Sequence, residues 1–353
     1  MNNVLVTGGA GFIGSNFVRY LLGQPAVAKI ANLDLLTYAG LRENVADLQN
    51  NNRHIFIQGD ICDGDLIRQL LVEHNIDIII NFAAESHVDR SIQDPASFVR
   101  TNTTGTFSLL ESARKVWAGN YTGKRFHHIS TDEVYGELDP NAPASTENSP
   151  YRPRSPYAAS KASADHLVRA YFHTYGLPVT VSICSNNFGP YQFPEKLIPL
   201  TILNALQGKQ LPLYGDGLHT RDWVFVRDHC EAVYQIVMKG KPGEFYNVGG
   251  QTQLQNAMLV RKICEILDEL RPSSFPYATL VTHVTDRPGH DRRYALDISR
   301  IQGEVGWSPR YNIDEGLRLT VKWYLEQESW TSNVLESREY IQWIEKNYHN
   351  RKQ

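Results

Sequence analysis

Short, uninterrupted apolar runs recur along the first half of the chain, each followed by a stretch with helical spacing. Val4–Val6, Ile30–Asp34, His54–Ile57, Ile76–Ile80, Phe126–Ser130 and Val179–Cys184 read as strands. Phe12–Leu22, Asp65–Glu73, Phe98–Trp117 and Tyr157–Tyr175 read as helices. Strands without polar alternation are buried on both faces, and strand–helix alternation predicts a doubly wound parallel sheet. The rhythm breaks after about Ser185, where Pro190, Pro194, Pro199 and Pro212 punctuate the chain and Gly215 and Gly217 follow. Beyond them, strands are expected at Asp222–Val226 and Phe245–Val248, returning to the main sheet around a helix at Asp228–Val237. Helices are expected at Leu254–Leu270 and Ile313–Glu326, and a terminal amphipathic helix at Ser337–Tyr348.

Composition narrows the class. The chain has 353 residues, with 35 Lys and Arg against 38 Asp and Glu, a formal charge of −3. That balance argues against nucleic acid or an anionic membrane as partner. Charged residues make up 21% and hydrophobic ones 42%, as in globular proteins. No apolar run is long enough for a membrane span, and the N-terminus lacks the pattern of a signal peptide. The four cysteines, Cys62, Cys184, Cys230 and Cys264, form neither a metal spacing nor a disulfide framework, so no metal is expected and a reducing cytoplasm is.

Candidate chemistry begins at Thr7-Gly8-Gly9-Ala10-Gly11-Phe12-Ile13-Gly14, which follows a strand and opens a helix. Glycines there permit a tight turn and close approach to a pyrophosphate, which the helix N-terminus then binds. Asp34 ends the second strand twenty residues after Gly14, the spacing of a ribose-binding carboxylate in a Rossmann fold. Leu35 follows rather than Arg, which favours NAD over NADP. Asp60, after the third strand, either meets the adenine edge or caps the next helix. The chain is therefore read as a Rossmann-type doubly wound α/β protein with a smaller, discontinuous α/β lobe. Residues 1–185 plus about 222–250 form the NAD-binding lobe, about 186–221 plus 251–330 the substrate lobe, and 331–353 a helical tail.

Tyr157 and Lys161, four apart, share one helix face. A lysine ammonium there is expected to lower the tyrosine pKa toward neutrality, so that the phenol works as a base. Upstream, Thr131-Asp132-Glu133 closes an apolar strand. Carboxyl ends of strands form the ligand crevice of such sheets, and two adjacent carboxyls supply a general acid and a general base if one stays protonated.

The loop Thr7–Gly14, the Tyr157/Lys161 pair and Thr131 together resemble the extended short-chain dehydrogenase/reductase family. Within it, Thr131–Gly136, Ala83–Ser91, Cys184–Pro199, Arg221–Trp223 and Asp286–Arg293 closely resemble the dTDP-glucose 4,6-dehydratase subfamily, from residue 4 to about 330. Leu35 stands where the family usually has Lys, and Gln251-Thr252 where His-Asn commonly follows the glycines. The resemblance implies a hydro-lyase that makes a 4-keto-6-deoxy sugar nucleotide, with tightly bound NAD regenerated at each turnover. It implies that Tyr157 deprotonates the C4 hydroxyl, with Lys161 supporting it and Thr131 bonding the C4 oxygen. Glu133 would move the C5 proton and Asp132 would protonate the departing C6 hydroxyl. Cofactor contacts are expected from Gly8, Gly11, Phe12, Ile13, Gly14, Asp34, Leu35, Thr37, Asp60, Ile61, Phe82, Ala83, Ala84, Ser86, Thr101, Tyr157, Lys161 and Asn187. Substrate contacts are expected from Ser86, His87, Thr131, Asn186, Lys196, Leu197, Pro212, Tyr214, Arg221, Asn256, Arg287 and His290. Lys196, Arg221, Arg287 and His290 are the expected cations for the diphosphate. The helices Phe98–Trp117 and Tyr157–Tyr175 resemble those that pair in the family's homodimer. Three alternatives stand beside this reading: a UDP-glucose 4,6-dehydratase, a nucleotide-sugar 4-epimerase, and a non-catalytic NAD-binding scaffold.

Overall fold

The β-branched apolar runs become the centre of the molecule because only a strand covered on both faces buries every side chain it carries. The computed structural model describes residues 3–345. In chain order, the first half contributes β1 (Asn3–Thr7), α1 (Phe12–Leu22), β2 (Lys29–Asp34), β3 (His54–Gln58), α2 (Gly64–Glu73), β4 (Ile78–Asn81), α3 (Val88–Gln93), α4 (Pro95–Phe98), α5 (Thr106–Trp117), β5 (Arg125–Thr131), α6 (Pro156–Tyr175) and β6 (Val179–Cys184). The second half contributes β7 (Asn186–Phe188), α7 (Leu197–Leu206), β8 (Leu211–Tyr214), β9 (Thr220–Phe225), α8 (Val226–Lys239), β10 (Phe245–Val248), β11 (Gln253–Gln255) and α9 (Asn256–Leu270). It closes with β12 (Val281–Val284), α10 (Ser299–Val305), α11 (Ile313–Glu326), α12 (Glu328–Leu335) and α13 (Arg338–Ile344).

Seven strands form one parallel sheet in the order β10-β6-β5-β4-β1-β2-β3. The direction of winding reverses between β1 and β4, which opens a crevice at their carboxyl ends. Helices α2, α5 and α6 pack together as one layer, and α1, α8 and α10 as another, as right-handed crossovers on a doubly wound sheet require. A second core gathers Phe188, Leu203, Phe225, Ile263, Leu317 and Trp330. It is built on a three-stranded sheet (β11-β9-β7), the β8/β12 pair and helices α7, α9 and α11.

Several sequence expectations need correction. The strand near Asp222–Val226 does not join the main sheet: β9 pairs with β7 and β11. Phe225 is its last residue, and α8 begins at Val226 and returns the chain to the first lobe. Leu254–Leu270 is not all helix, because Gln253–Gln255 pairs with β9 before α9 starts. The long helix at Phe98–Trp117 starts at Pro95 and opens into a wider π-helical turn over Val99–Gly105. The fourth strand is Ile78–Asn81, two residues later than read. Beyond α11 the chain packs back on the molecule: Trp330 donates to Asn44 Oδ1 at 2.7 Å, and Tyr340 packs edge-on against Phe193. The terminal helix is described over Arg338–Ile344, and the rest of the expected Ser337–Tyr348 helix lies outside the described residues.

Candidate active site

The Gly-rich loop sits at the β1/β4 crevice. Gly8 has φ +72°, and a Cβ there would lie 2.6 Å from Ala83 N; one on Gly14 would lie 2.1 Å from Gly8 O. The backbone is thus pressed against itself, which only glycine allows. α1 carries no side-chain cap and no acidic residue in its first turn. Its N-terminal N–H groups and positive dipole end face the cavity beside Gly11, Phe12 and Ile13. Asp34 sits across that cavity, accepting from Ala10 N at 2.9 Å and Leu36 N at 2.8 Å. A nucleotide cofactor with a pyrophosphate fits this cradle.

Every residue expected to contact the cofactor lines this one cavity except Asn187. Asn187 is buried behind it, accepting from His229 Nδ1 at 2.8 Å and donating to Ser185 O at 3.0 Å. Asp60 lines the cavity and does not cap α2. That cap is Asp63, while Asp60 accepts from Cys62 N at 2.8 Å and pairs with Arg100 at 2.5 Å. The structure also brings in residues that were not singled out: Tyr38, Glu85, Gln192, Phe193 and Glu195. Glu195 pairs with Arg90 at 3.0 Å, and the Arg90 guanidinium lies 3.7 Å from the centre of the Tyr38 ring. Gln192, Phe193 and Glu195 lay inside a motif already noted, Cys184–Pro199. Glu85 lay inside another, Ala83–Ser91, whereas Tyr38 carried no spacing signal.

The acid–base groups converge from two elements. Thr131 ends β5, and Asp132 and Glu133 begin the following 3-10 turn. Tyr157 and Lys161 lie in the first turns of α6, which Ser155 caps by accepting from Ala158 N at 3.1 Å. Asp132 is 3% exposed, and its Oδ2 has no hydrogen-bond partner. Burial pushes its pKa well up, and the neighbouring Glu133 charge pushes the same way. Glu133 is raised by burial too, but Arg287, Arg221 and Lys196 oppose the shift. Both carboxyls adjacent in the chain are therefore pushed toward the protonated form, Asp132 the more strongly, while three cations hold Glu133 back.

Tyr157 departs from expectation. Burial raises its pKa well above the usual phenol value, and the Glu133 carboxylate adds to this, while the Thr131 hydroxyl pulls the other way. Lys161 does not lower it in this arrangement. Its ammonium is bonded to Ile129 O at 2.6 Å and lies 3.2 Å from His128 Nε2. Burial brings the Lys161 pKa down to about 8, and Asp165 acts against that fall.

Lys196 reaches the same cavity and donates to Ser86 O at 3.0 Å. Arg221 is 5% exposed, and its guanidinium donates to the carbonyls of Thr220, Asp291 and Arg292. Arg287 Nη1 lies 3.3 Å from Asp89 Oδ1, and Tyr214 donates to the other oxygen of the same carboxylate at 3.0 Å. His290 is not the expected cation: burial and the charges of Arg287 and Arg221 push its pKa far down. It shares Asp286 with His219, at 2.6 and 3.2 Å, and the two imidazoles stack at 3.7 Å. These three groups come within 4.8 Å of one another, a cluster the spacing of the residues did not announce. Asn186 and Leu197 begin β7 and α7, Pro212 lies in β8, and Asn256 opens α9 with its side-chain oxygen buried and unpartnered. His87 is buried ahead of α3.

Known proteins are similar to this chain. The family model for GDP-mannose 4,6 dehydratase matches residues 5–320. The dTDP-glucose 4,6-dehydratase of Xanthomonas campestris pv. campestris (strain B100) is 53% identical over 338 residues, covering 94% of this chain and 95% of the relative. That of Escherichia coli (strain K12) is 51% identical over 360 residues, covering 99% of each. The chain belongs to the dTDP-glucose 4,6-dehydratase family. The family's solved structures agree: the Streptomyces venezuelae dTDP-glucose 4,6-dehydratase, solved with NAD bound, has a TM-score of 0.86 at 46% identity, covering 94% of this chain and 99% of that one. A UDP-glucose 4-epimerase from Thermus thermophilus, solved with NAD, has a TM-score of 0.81 at 31% identity, covering 92% and 99%. Similarity runs past residue 330, where the sequence motifs had placed its end, since the Escherichia coli relative spans nearly the whole chain.

Proposed function

We propose that this chain is a dTDP-glucose 4,6-dehydratase, converting dTDP-glucose to the 4-keto-6-deoxy sugar nucleotide and water. One observation carries the reading beyond the family: two neighbouring carboxyls stand at the end of β5, Asp132 held firmly toward its protonated form and Glu133 faced by Arg287, Arg221 and Lys196. NAD, when bound, supplies a temporary store for the hydride that leaves C4 and arrives at C6. Tyr157 takes the proton of the C4 hydroxyl as its phenolate, a form that burial opposes and that the positive charges of Lys161 and of the nicotinamide ring would favour with NAD bound, and the Thr131 hydroxyl bonds the C4 oxygen. Lys161 holds positive charge in the same buried space, supported by Asp165. The C4 ketone acidifies C5, and Glu133 removes that proton. Asp132 gives its proton to the C6 hydroxyl, which departs as water, and Glu133 returns a proton to C5. Lys196, Arg221 and Arg287 form the positive wall for the diphosphate, and Leu197, Pro212 and Tyr214 the surroundings of the base. An epimerase needs no acid to expel a hydroxyl, so the paired carboxyls favour dehydration. Incubation with dTDP-glucose is expected to yield a product that absorbs near-ultraviolet light in alkali. A changed sugar without that chromophore would overturn the reading. Comparing kcat/KM for dTDP-glucose and UDP-glucose tests the base, with dTDP-glucose expected to lead.

We infer two lobes that divide the work. Residues up to 185 with 226–250 hold the cofactor, and 186–225 with 251–330 hold the nucleotide sugar. The division is supported by the two separate cores. The paired helix layer α5/α6 carries Phe107 and Tyr175 with 44% and 46% exposure. An outward apolar face of that kind supports a homodimer joined through these helices. Light scattering is expected to return twice the chain mass, and Phe107→Asp to shift it toward the monomer. Three of the four cysteines are buried and all are free, which supports a reducing, cytoplasmic setting. No helix among the described residues is long and apolar enough to cross a membrane.

A further inference from the structure

A second cavity, of about 640 Å³, lies on the other side of the segment 190–196 from the site above. Its walls come from α1, from the start of α8, and from residues 190–191 and 310–323 of the second lobe. None of its lining residues has a part in the proposed reaction.

The lining has a definite chemistry. Four aromatic side chains face it: Tyr20, Tyr191, Tyr311 and Trp323. Its acids are already engaged. Asp228 accepts the Tyr311 N–H at 3.0 Å, and Glu231 is held by Arg310 at 2.6 Å. Arg227 stands on the same wall, exposed, with its guanidinium 5.9 Å from the centre of the Phe225 ring and no ion pair among the described residues. Aromatic faces take flat rings, and an unpaired guanidinium offers a donor fork to phosphate oxygens. A volume of several hundred cubic ångströms is the size of an ordinary small-molecule site. We propose that this inter-lobe cavity is a second ligand site, for a nucleotide-sized aromatic phosphate, with Arg227 as its anion contact and Trp323 and Tyr311 as its ring platform.

The cavity is also placed to speak to the first. Tyr191 has φ +67°, a left-handed conformation that is unusual for a bulky side chain. Its ring is gripped by the Arg19 guanidinium at 4.3 Å and by Trp323 at 4.7 Å, and Asn16 bonds the carbonyl of the preceding Pro190 at 2.9 Å. The residues that follow at once, Gln192, Phe193, Glu195 and Lys196, line the cofactor cavity. A ligand seated on Tyr191 therefore bears on the backbone that sets Glu195 and Lys196. Its binding changes the affinity for the nucleotide sugar, and by reciprocity the nucleotide sugar changes its own.

The test uses the NAD-loaded enzyme with AMP as probe, after saturating dTDP has filled the substrate site. Equilibrium dialysis is expected to find one AMP per chain, with Trp323 fluorescence quenched. Arg227→Ala is expected to weaken AMP by about tenfold or more while leaving turnover without AMP unchanged. In the native enzyme AMP is expected to shift the KM for dTDP-glucose by about fivefold or more, a shift absent from Arg227→Ala. No saturable AMP once NAD and dTDP are bound would overturn the proposal, as would binding that both Arg227→Ala and Trp323→Leu leave intact. Binding with no change in KM would overturn the coupling. The dialysis arm does not depend on the reaction proposed above, so the two can fail separately.

Discussion

Asp132 and Glu133 are neighbours in the chain, yet their surroundings separate them. Asp132 faces burial with an unpartnered oxygen, and Glu133 faces Arg287, Arg221 and Lys196. Replacing Glu133 by Gln removes the C5 base and leaves the C4 step in place. Turnover is expected to fall by about 10²–10⁴, with reduced nicotinamide absorbance building up on mixing. Full turnover without that transient would remove Glu133 from the mechanism. A second residue matters through Lys161. Asp165 lies one turn further along α6, accepting from Ser130 at 2.6 Å and from Tyr151 at 2.9 Å. Its own pKa is raised to about 6 by burial, with Lys161 and Arg169 opposing, and His128 Nε2 stands 3.7 Å away. The carboxylate holds the Lys161 pKa up against burial. In Asp165→Asn the lysine loses its proton at lower pH, so the alkaline limb of the kcat profile is expected to move downward from about 8. An unmoved alkaline limb would show that Lys161 does not need this charge.

At the level of elements, the loop between β1 and α1 is the most constrained. A methyl on Gly14 would sit 2.1 Å from Gly8 O, so Gly14→Ala must displace the turn that faces the pyrophosphate. Purified Gly14→Ala is expected to lose its NAD, which the ratio of nicotinamide absorbance to protein would reveal. This loop was legible in the sequence because glycine spacing encodes a backbone shape directly. So was α6, read from its helical spacing over Tyr157–Tyr175; Ser155 caps it and Gly176 ends it. The π-helical turn at Val99–Gly105 was not. It places Thr101 on the cavity and lets Asn102 bond both the N–H and the C=O of Glu85, at 2.9 and 3.0 Å. One extra residue in a helical turn barely alters an apolar pattern, whereas it redirects every side chain in that turn. β9 was misplaced for a related reason. Its apolar run announces a strand, but a run of that kind does not name the strand it pairs with.

Across the whole molecule, the two lobes are tied at the mouth of the site. Arg90 on α3 meets Glu195, which is 3% exposed, across 105 residues of chain. Arg90→Ala leaves the Glu195 carboxylate in the interior without this counter-ion. The expected cost is about 3–5 kcal/mol, read as a lower denaturant midpoint, together with faster NAD release. An unfolding free energy within about 0.5 kcal/mol of native would show that this ion pair does not hold the lobes together. Trp330 bonded to Asn44 is a second tie of this kind, and it brings the C-terminal helices onto the first lobe.

The chain alone settled the things that depend on neighbours in sequence. These are the buried parallel strands, the glycine cradle, the helix that puts Tyr157 and Lys161 on one face, and the strand end that carries two carboxyls. Tertiary structure decided what depends on distant segments meeting. It bonded Lys161 to Ile129 O, took up the Arg221 guanidinium with three carbonyls, held His290 neutral and drew Tyr38, Glu85 and Glu195 to the cofactor cavity. The reason is physical. Local spacing fixes the direction of a side chain, but its charge state and its partners follow from burial and from charges brought close only when the sheet is wound.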